Sequence, residues 1–385
     1  MIPYSKQSVS KDDIDAVNQV LRSNFLTQGP KIEEFEFALA EYFGSDYGIC
    51  CSSGSSALHL AYAGLGAKPS SIAIVPAVTF SATANAFKYL GSKVIFCDID
   101  PETGLLSIDH LEEILSKLNH TKHNQKGFIT PVSFAGMVAP LQRCREISNK
   151  YGFHLIEDAS HSFGATNEKT DRSGDCEQVD ASCLSFHPVK HICCGEGGAI
   201  LTNSSELNSI AKRMRSHGIH RPHGNGHATP WYYEQVELGW NYRMTDMQAA
   251  LGISQLKRVD QMISMRRKIA QRYHDVFQET KFQESFARPI YELGHSWHLY
   301  IIRFHKKGIR DEAHKFLKNR GILTQVHYVP LYKHPYYEKE NGKIRLPGAE
   351  QYFEGCLSIP IFPDLREDEQ ERIITELRNF TERGN

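Results

Sequence analysis

One lysine stands out by its setting. Lys190 closes the segment Ser182-Cys183-Leu184-Ser185-Phe186-His187-Pro188-Val189-Lys190, and Gly195-Glu196-Gly197-Gly198 follows. A lysine at the end of an apolar, strand-like run can be partly desolvated, which lowers its pKa and makes it a nucleophile toward an aldehyde. The glycines behind it let backbone approach closely. Taken alone, a lysine before a glycine turn is an ordinary surface residue. A second group, Glu157-Asp158-Ala159-Ser160-His161, ends another apolar run. An acid there is costly unless paired. Asp158 suits pairing with a protonated ring nitrogen, although an aspartate capping a helix would look the same.

A third group is Ser52-Ser53-Gly54-Ser55-Ser56-Ala57-Leu58-His59. Small residues allow a tight turn into a helix whose N-terminal N–H groups suit a phosphate, with the hydroxyls of Ser55 and Ser56 as further donors. A plain Ser/Gly turn with an N-cap fits equally well. The fourth group runs from Gly239-Trp240-Asn241-Tyr242-Arg243-Met244 to Thr245-Asp246 and on into a helical pattern, with Thr245 or Asp246 as its cap.

These groups need a frame that brings them together. Residues 72–75, 94–97, 128–132 and 154–157 read as short buried strands, and 81–90, 108–118 and 141–151 as helices between them. Such alternation implies an α/β domain with a largely parallel sheet covered on both faces. Ligands of such sheets bind at the carboxyl ends of the strands, where Asp158 and Lys190 would face one cleft. Residues 217–233, rich in His, Gly and Pro, read as an exposed loop or hairpin. A long helix is expected over 244–277. Beyond 282 the rhythm changes, with a strand at 297–304 and a helix at 311–320 ended by Gly321. The expected division is a large α/β domain over 1–255, with an N-terminal arm over 1–30, and a smaller α+β domain over 256–385.

Bulk properties exclude some functions. The chain has 385 residues, 41% hydrophobic and 23% charged, which is ordinary for a globular protein. Its 44 Lys and Arg balance 45 Asp and Glu, so no global field draws nucleic acid or an anionic membrane, and neither is expected as a partner. The opening residues lack the apolar core of a signal peptide, and no run is long enough to span a bilayer. Nine cysteines without CxxC spacing fit reduced thiols in a cytoplasm. His217, His220, His223 and His227 have suggestive spacings, but Gly218, Pro222, Gly224 and Gly226 argue against a helix that would align them, so no metal site is expected.

The segments SFHPVK, EDASH, SSGSSALH and GWNYRMTDMQAAL together resemble the sugar aminotransferases of the DegT/DnrJ/EryC1/StrS family. The resemblance covers essentially the whole chain. It implies the aspartate-aminotransferase-like fold, fold type I, and pyridoxal 5'-phosphate as cofactor. By this resemblance Lys190 holds the cofactor as a Schiff base, Asp158 pairs with its pyridine nitrogen, and Ser55, the backbone at Gly54 and Ser185 hold its phosphate. Phe80 would stack on the ring. His161 stands where many relatives have Gln and would bond the phenolic oxygen. Asn241 would reach the phosphate of the neighbouring subunit's cofactor, so a homodimer with shared active sites is implied. Tyr4, Lys31, His187 and His327 are the expected substrate contacts.

The opening IPYSKQSVSKDDIDAV and SNFLTQGPKIEEFE are similar to one branch of the family. That branch carries an amino group, with L-glutamate as the donor, to C4 of a UDP-linked 4-keto-6-deoxy-N-acetyl-hexosamine on the route to pseudaminic acid. C4 or C3 amination of another nucleotide keto-sugar is the alternative. Some relatives are dehydratases with His in place of the lysine, which Lys190 speaks against. A cofactor-bound regulatory protein would carry a basic DNA-binding arm, for which the sequence offers no candidate.

Overall fold

The computed structural model describes residues 1–119, 126–167, 172–221 and 231–383. Its centre is a seven-stranded sheet built from β1 (Tyr47–Cys51), β2 (Ile72–Pro76), β3 (Lys93–Cys97), β4 (Gly127–Ile129), β5 (Phe153–Asp158), β6 (Ala181–Ser185) and β7 (Gly198–Thr202). The spatial order is β1-β7-β6-β5-β4-β2-β3, and β7 alone runs against the rest. The helices before and between these strands are α1 (Lys11–Leu21), α2 (Pro30–Phe43), α3 (Gly54–Gly64), α4 (Ser81–Lys88), α5 (Ile108–Asn119) and α6 (Leu141–Tyr151). Beyond β7 follow α7 (Ser205–Met214), α8 (Asp246–Leu256) and α9 (Val259–Val276).

The strands carry apolar residues on both sides because helices cover both faces. Ala73 and Val75 of β2 pack into one cluster with Leu58, Tyr62, Phe87 and Phe128, whereas Ile74 between them packs into a second with Phe35, Phe43, Leu155 and Leu184. The two-residue period of a strand thus divides one continuous apolar run between two cores. The three expected inter-strand helices form at 81–88, 108–119 and 141–151.

Three boundaries differ from the sequence reading. The strand expected over 128–132 ends at Ile129, because Pro131 has no N–H for the ladder; Val132 makes only an isolated bridge to Asp158. The strand expected from 297 begins at Tyr300, since Trp297 has φ +51° and its N–H is taken by His295 Nδ1 at 2.8 Å. The single helix expected over 244–277 is two helices. The chain leaves helical geometry at Arg258 (φ −121°, ψ 10°), whose guanidinium turns to Asp13 at 2.7 Å.

Within the stretch expected as a loop or hairpin, β8 (Ile219–His220) pairs antiparallel with β9 (Glu234–Gln235) just beyond it. Residues 222–230, including His223 and His227, lie outside the described residues. Among the described residues no group of His, Cys, Asp and Glu could hold a metal ion, and no helix is long and apolar enough to cross a membrane.

A second, antiparallel sheet of β10 (Phe286–Ala287), β11 (Tyr300–Phe304) and β12 (Cys356–Ile359) carries its own core, including Tyr273, Trp297, Ile302 and Ile373. The helix at Ile309–Lys318 precedes Gly321, which takes φ +74°. Two features cross the expected domain division. Val259, Met262 and Ile263 at the start of α9 pack into the large core, while Ile269, Ala270 and Tyr273 further along pack into the small one. Ile2, at the tip of the arm, bridges Ile322 and sits in the small core. All nine cysteines are buried free thiols.

Candidate active site

A cavity of about 670 Å³ opens where the carboxyl ends of the parallel strands meet the small domain. Its size suits a cofactor together with a substrate. Ten of the twelve residues singled out in the sequence line it: Tyr4, Gly54, Ser55, Phe80, Asp158, His161, Ser185, His187, Lys190 and His327. Lys31 and Asn241 do not. Lys31 sits in the first turn of α2, its amine 2.5 Å from Glu34. Asn241 is exposed and bridges Ser216 beside the hairpin.

The floor is made by close backbone packing. Ser53 caps α3 by accepting from Ser56 N at 3.1 Å, and Ser56 Oγ returns to accept from Ser53 N at 2.8 Å. Ser56 is therefore turned inward and committed to the cap, and Ser55 alone of the two hydroxyls expected to add donors faces the cavity. The first N–H groups of a helix have no intrahelical acceptor, so Gly54 and Ser55 bring free donors and the positive helix end to this wall. A Cβ on Gly54 would come within 2.8 Å of Ser185 Cβ, and one on Gly198 within 2.4 Å of Ser53 O. Glycine at both positions is what lets the α3 turn seat against the ends of β6 and β7.

Asp158 ends β5 and is buried. Thr83 Oγ1 donates to its Oδ2 at 2.7 Å, and Ser160 Oγ to its Oδ1 at 2.6 Å. Both donors fix the carboxylate in direction. Thr83 is held in turn by Thr79 at 2.8 Å. The neighbouring Glu157 points to the opposite side of the strand and has a different task. It accepts from Ser133, Ser173 and Ser182 hydroxyls and from Gly174 N. Burial pushes its carboxyl above the usual range, and these donors work against that. Glu157→Ala strips the acceptor from four buried donors and should cost about 3 kcal/mol or more of stability, read as a lower urea midpoint at unchanged slope.

Lys190 lies on the loop between β6 and β7. Its N–H bonds His187 O at 2.9 Å, and Phe186 and Cys194 close the loop base through a 2.8 Å bond. Desolvation pushes the half-buried Lys190 amine down to about 8, while the nearby Asp158 charge acts the other way.

Opposite stands a polar wall from the small domain. Tyr328 OH lies 3.3 Å from His161 Nε2, and the His161 ring is 4.3 Å from that of His298. His161 is held neutral by burial, with Lys190 and two other histidines adding to the effect, and its Nδ1 is buried with no partner among the described residues. His327 is bonded to Ser358 Oγ at 2.7 Å and pushed down to about 3, by burial first and Lys190 second. The Phe80 ring, 58% exposed, stands 6.0 Å from Tyr328 across the opening. The sequence reading gave no role to Thr83, Ser160, Tyr328, Gln325 or His334. Thr83 reaches Asp158 across 75 residues of chain, a contact with no local signature.

A mixed sheet with one reversed strand, an acid and a lysine at adjacent strand ends and a helix N-terminus beside them define the fold type I class of pyridoxal-phosphate-dependent transferases. The model of the DegT/DnrJ/EryC1/StrS aminotransferase family matches residues 7–378, and the chain belongs to that family. It is 38% identical over 367 residues to a UDP-4-amino-4,6-dideoxy-N-acetyl-beta-L-altrosamine transaminase of Campylobacter jejuni, covering 95% of this chain and 93% of the relative. Among solved structures it is similar to Helicobacter pylori PseC, an aminotransferase involved in pseudaminic acid biosynthesis (TM-score 0.90, 29% identity, 99% of both chains). It is also similar to the PLP-form of the putative sugar aminotransferase Spr1654 from Streptococcus pneumoniae (TM-score 0.88, 26% identity, 99% of both chains).

Proposed function

We propose that this chain is a pyridoxal-phosphate-dependent aminotransferase that moves the amino group of L-glutamate to C4 of a UDP-linked 4-keto-6-deoxy-N-acetyl-hexosamine. The observation that carries the reading is that Lys190 and Asp158, from adjacent strand ends, line one cavity with the N-terminal turn of α3. The residues fit the cofactor. The α3 N-terminus, held against Ser185 by the close packing at Gly54, suits its phosphate, and the buried, unpartnered His161 Nδ1 is a polar atom that a bound group would satisfy. In this reading Gly54, Ser55 and Ser185 hold the phosphate, Asp158 pairs with the ring nitrogen, Phe80 covers the ring, and His161 offers its unpartnered Nδ1 at the polar wall.

Bound there, pyridoxal phosphate supplies the electron sink that stabilises negative charge at the amine-bearing carbon. Lys190 Nζ does the proton work. With its pKa near 8 it takes the proton from the donor's α-carbon and returns it, as base and then acid, and does the reverse on the sugar. Asp158 keeps the ring nitrogen protonated through its Thr83 and Ser160 bonds. Tyr4, His187 and His327 line the cavity and are the substrate contacts in this reading, whereas Lys31, paired with Glu34, has no support from the cavity. The active unit is a homodimer in which Asn241 serves the partner's phosphate. This is supported by its exposure outside its own cavity, near the exposed Trp231, Tyr233 and Leu238.

Two measurements test this reading. Borohydride treatment of the cofactor-loaded protein should leave a reduced adduct on the peptide containing Lys190. Incubation with glutamate and a panel of UDP- and dTDP-4-keto sugars should release 2-oxoglutarate, most with the UDP-N-acetyl sugar; none with any sugar refutes the reaction. The amine itself gives a pH signature. Free lysine titrates near 10.5 and Lys190 near 8, so in cofactor-free protein the reactive neutral fraction should rise as pH climbs through 8. Competitive labelling of Lys190 against exposed lysines reads this directly, and a midpoint near 10.5 would contradict it.

A further inference from the structure

The break between α8 and α9 coincides with a junction of two cavity walls. The N-terminal segment runs as a strap from the small domain to this junction. Ile2 exchanges backbone bonds with Gly321 and Leu323, and Tyr4 O accepts from Ile361 N at 3.1 Å. Tyr4 lines the cavity with its ring 5.5 Å from that of His327. Ser5 Oγ then donates to Val189 O at 3.4 Å, one residue before Lys190. The strap ends at Ser8, Ser10 and Asp13, where α1 begins.

Gln255, in the last turn of α8, is 1% exposed and bonds in both directions. Its Oε1 accepts from Cys193 N at 3.0 Å, in the lysine loop. Its Nε2 donates to Ser8 O at 2.8 Å and to Asp13 Oδ2 at 3.2 Å. Only a primary amide presents an acceptor and donors side by side in this way. Its flip is fixed, since one neighbour is an N–H and the others are oxygens. Arg258 reinforces the strap side alone, reaching Ser8 O at 2.6 Å and Asp13 Oδ2 at 2.7 Å from just beyond the helix break.

We propose that Gln255 is a positioning residue that locks the N-terminal strap to the lysine loop, so that the wall carrying Tyr4 and the loop carrying Lys190 keep one relative placement. It touches neither ligand and acts through the two segments it joins. The consequence for substrate rests on the function proposed above; the mechanical coupling does not.

Hydrogen exchange on the full-length protein separates the two. Gln255→Leu removes both connections and should speed exchange in residues 4–13 and in 187–197 together, each by roughly tenfold, the worth of a lost buried bond. Exchange in β2 and β11 should stay as in the parent. Asp13→Asn weakens only the strap side and should speed 4–13 while leaving 187–197 protected. In turnover, Asp13→Asn should raise the KM for the sugar nucleotide by roughly tenfold at nearly unchanged kcat, because Tyr4 moves and Lys190 does not. Faster exchange in only one segment of Gln255→Leu, or equal acceleration throughout both sheets, overturns the proposal. A coupled exchange response without turnover on any sugar would instead refute the function and leave the coupling standing.

Discussion

Lys190→Ala should reduce transamination by ~10⁴-fold or more, since it removes both the covalent anchor and the proton carrier, and proton transfer alone is worth up to about 10⁴. The structure makes the loss clean. The backbone N–H of Lys190 keeps its bond to His187 O in the variant, so the loop retains that tie. Its ammonium is already disfavoured by desolvation, so the variant should melt at or slightly above the parental temperature. Single-turnover rates with glutamate, read beside thermal unfolding, test both halves. Activity within tenfold of the parent would remove Lys190 from the reaction. A drop of several degrees in Tm would show that the lysine holds the loop.

Asp158→Asn is expected to cost less, about 10²–10³-fold in kcat, the usual worth of one preorganised electrostatic group. Asparagine keeps the shape and can still accept from one of Thr83 and Ser160, but brings no charge to hold a proton on the ring nitrogen. Thr83→Val serves as a graded control. It leaves the carboxylate with the Ser160 bond and removes its second tether, so a loss of roughly tenfold is expected. If Asp158→Asn and Thr83→Val were equal in effect, the carboxylate would act by orientation alone. A parental rate for Asp158→Asn would leave the ring nitrogen without its proposed partner.

The layout of the large domain was legible because its strands are short apolar runs between clear helix periods. The cavity's two anchors were legible because Asp158 ends such a strand and Lys190 follows another by five residues. Sequence reasoning failed where one particular side-chain partner, near or far in the chain, decides the local outcome. Residues 244–277 have a nearly continuous helical pattern, yet Asp13 draws Arg258 out of the helix across more than two hundred residues. Ser56 looked like a phosphate donor, but the Ser53 cap claims its hydroxyl. The strand expected from 297 lost its start to His295, two residues away, because a histidine ring can replace a ladder partner. Asn241 and Lys31 were named by family likeness, and within one chain they lie away from the cavity. The residues that finish the site, Thr83 and Tyr328, are ordinary in sequence and acquire meaning only through the fold.

The nine buried thiols make the molecule a blank surface for cysteine chemistry. Burial raises the pKa of Cys50, Cys51, Cys97, Cys176, Cys183, Cys193 and Cys194, and of Cys356 in the small sheet. Alkylating reagents act on exposed thiolates, so the parent chain should remain unlabelled under native conditions. A cysteine introduced at exposed Lys6 would then be the one addressable point on the strap. A fluorophore there would report, in a single chain and without removing any native cysteine, whether the strap lifts when substrate arrives.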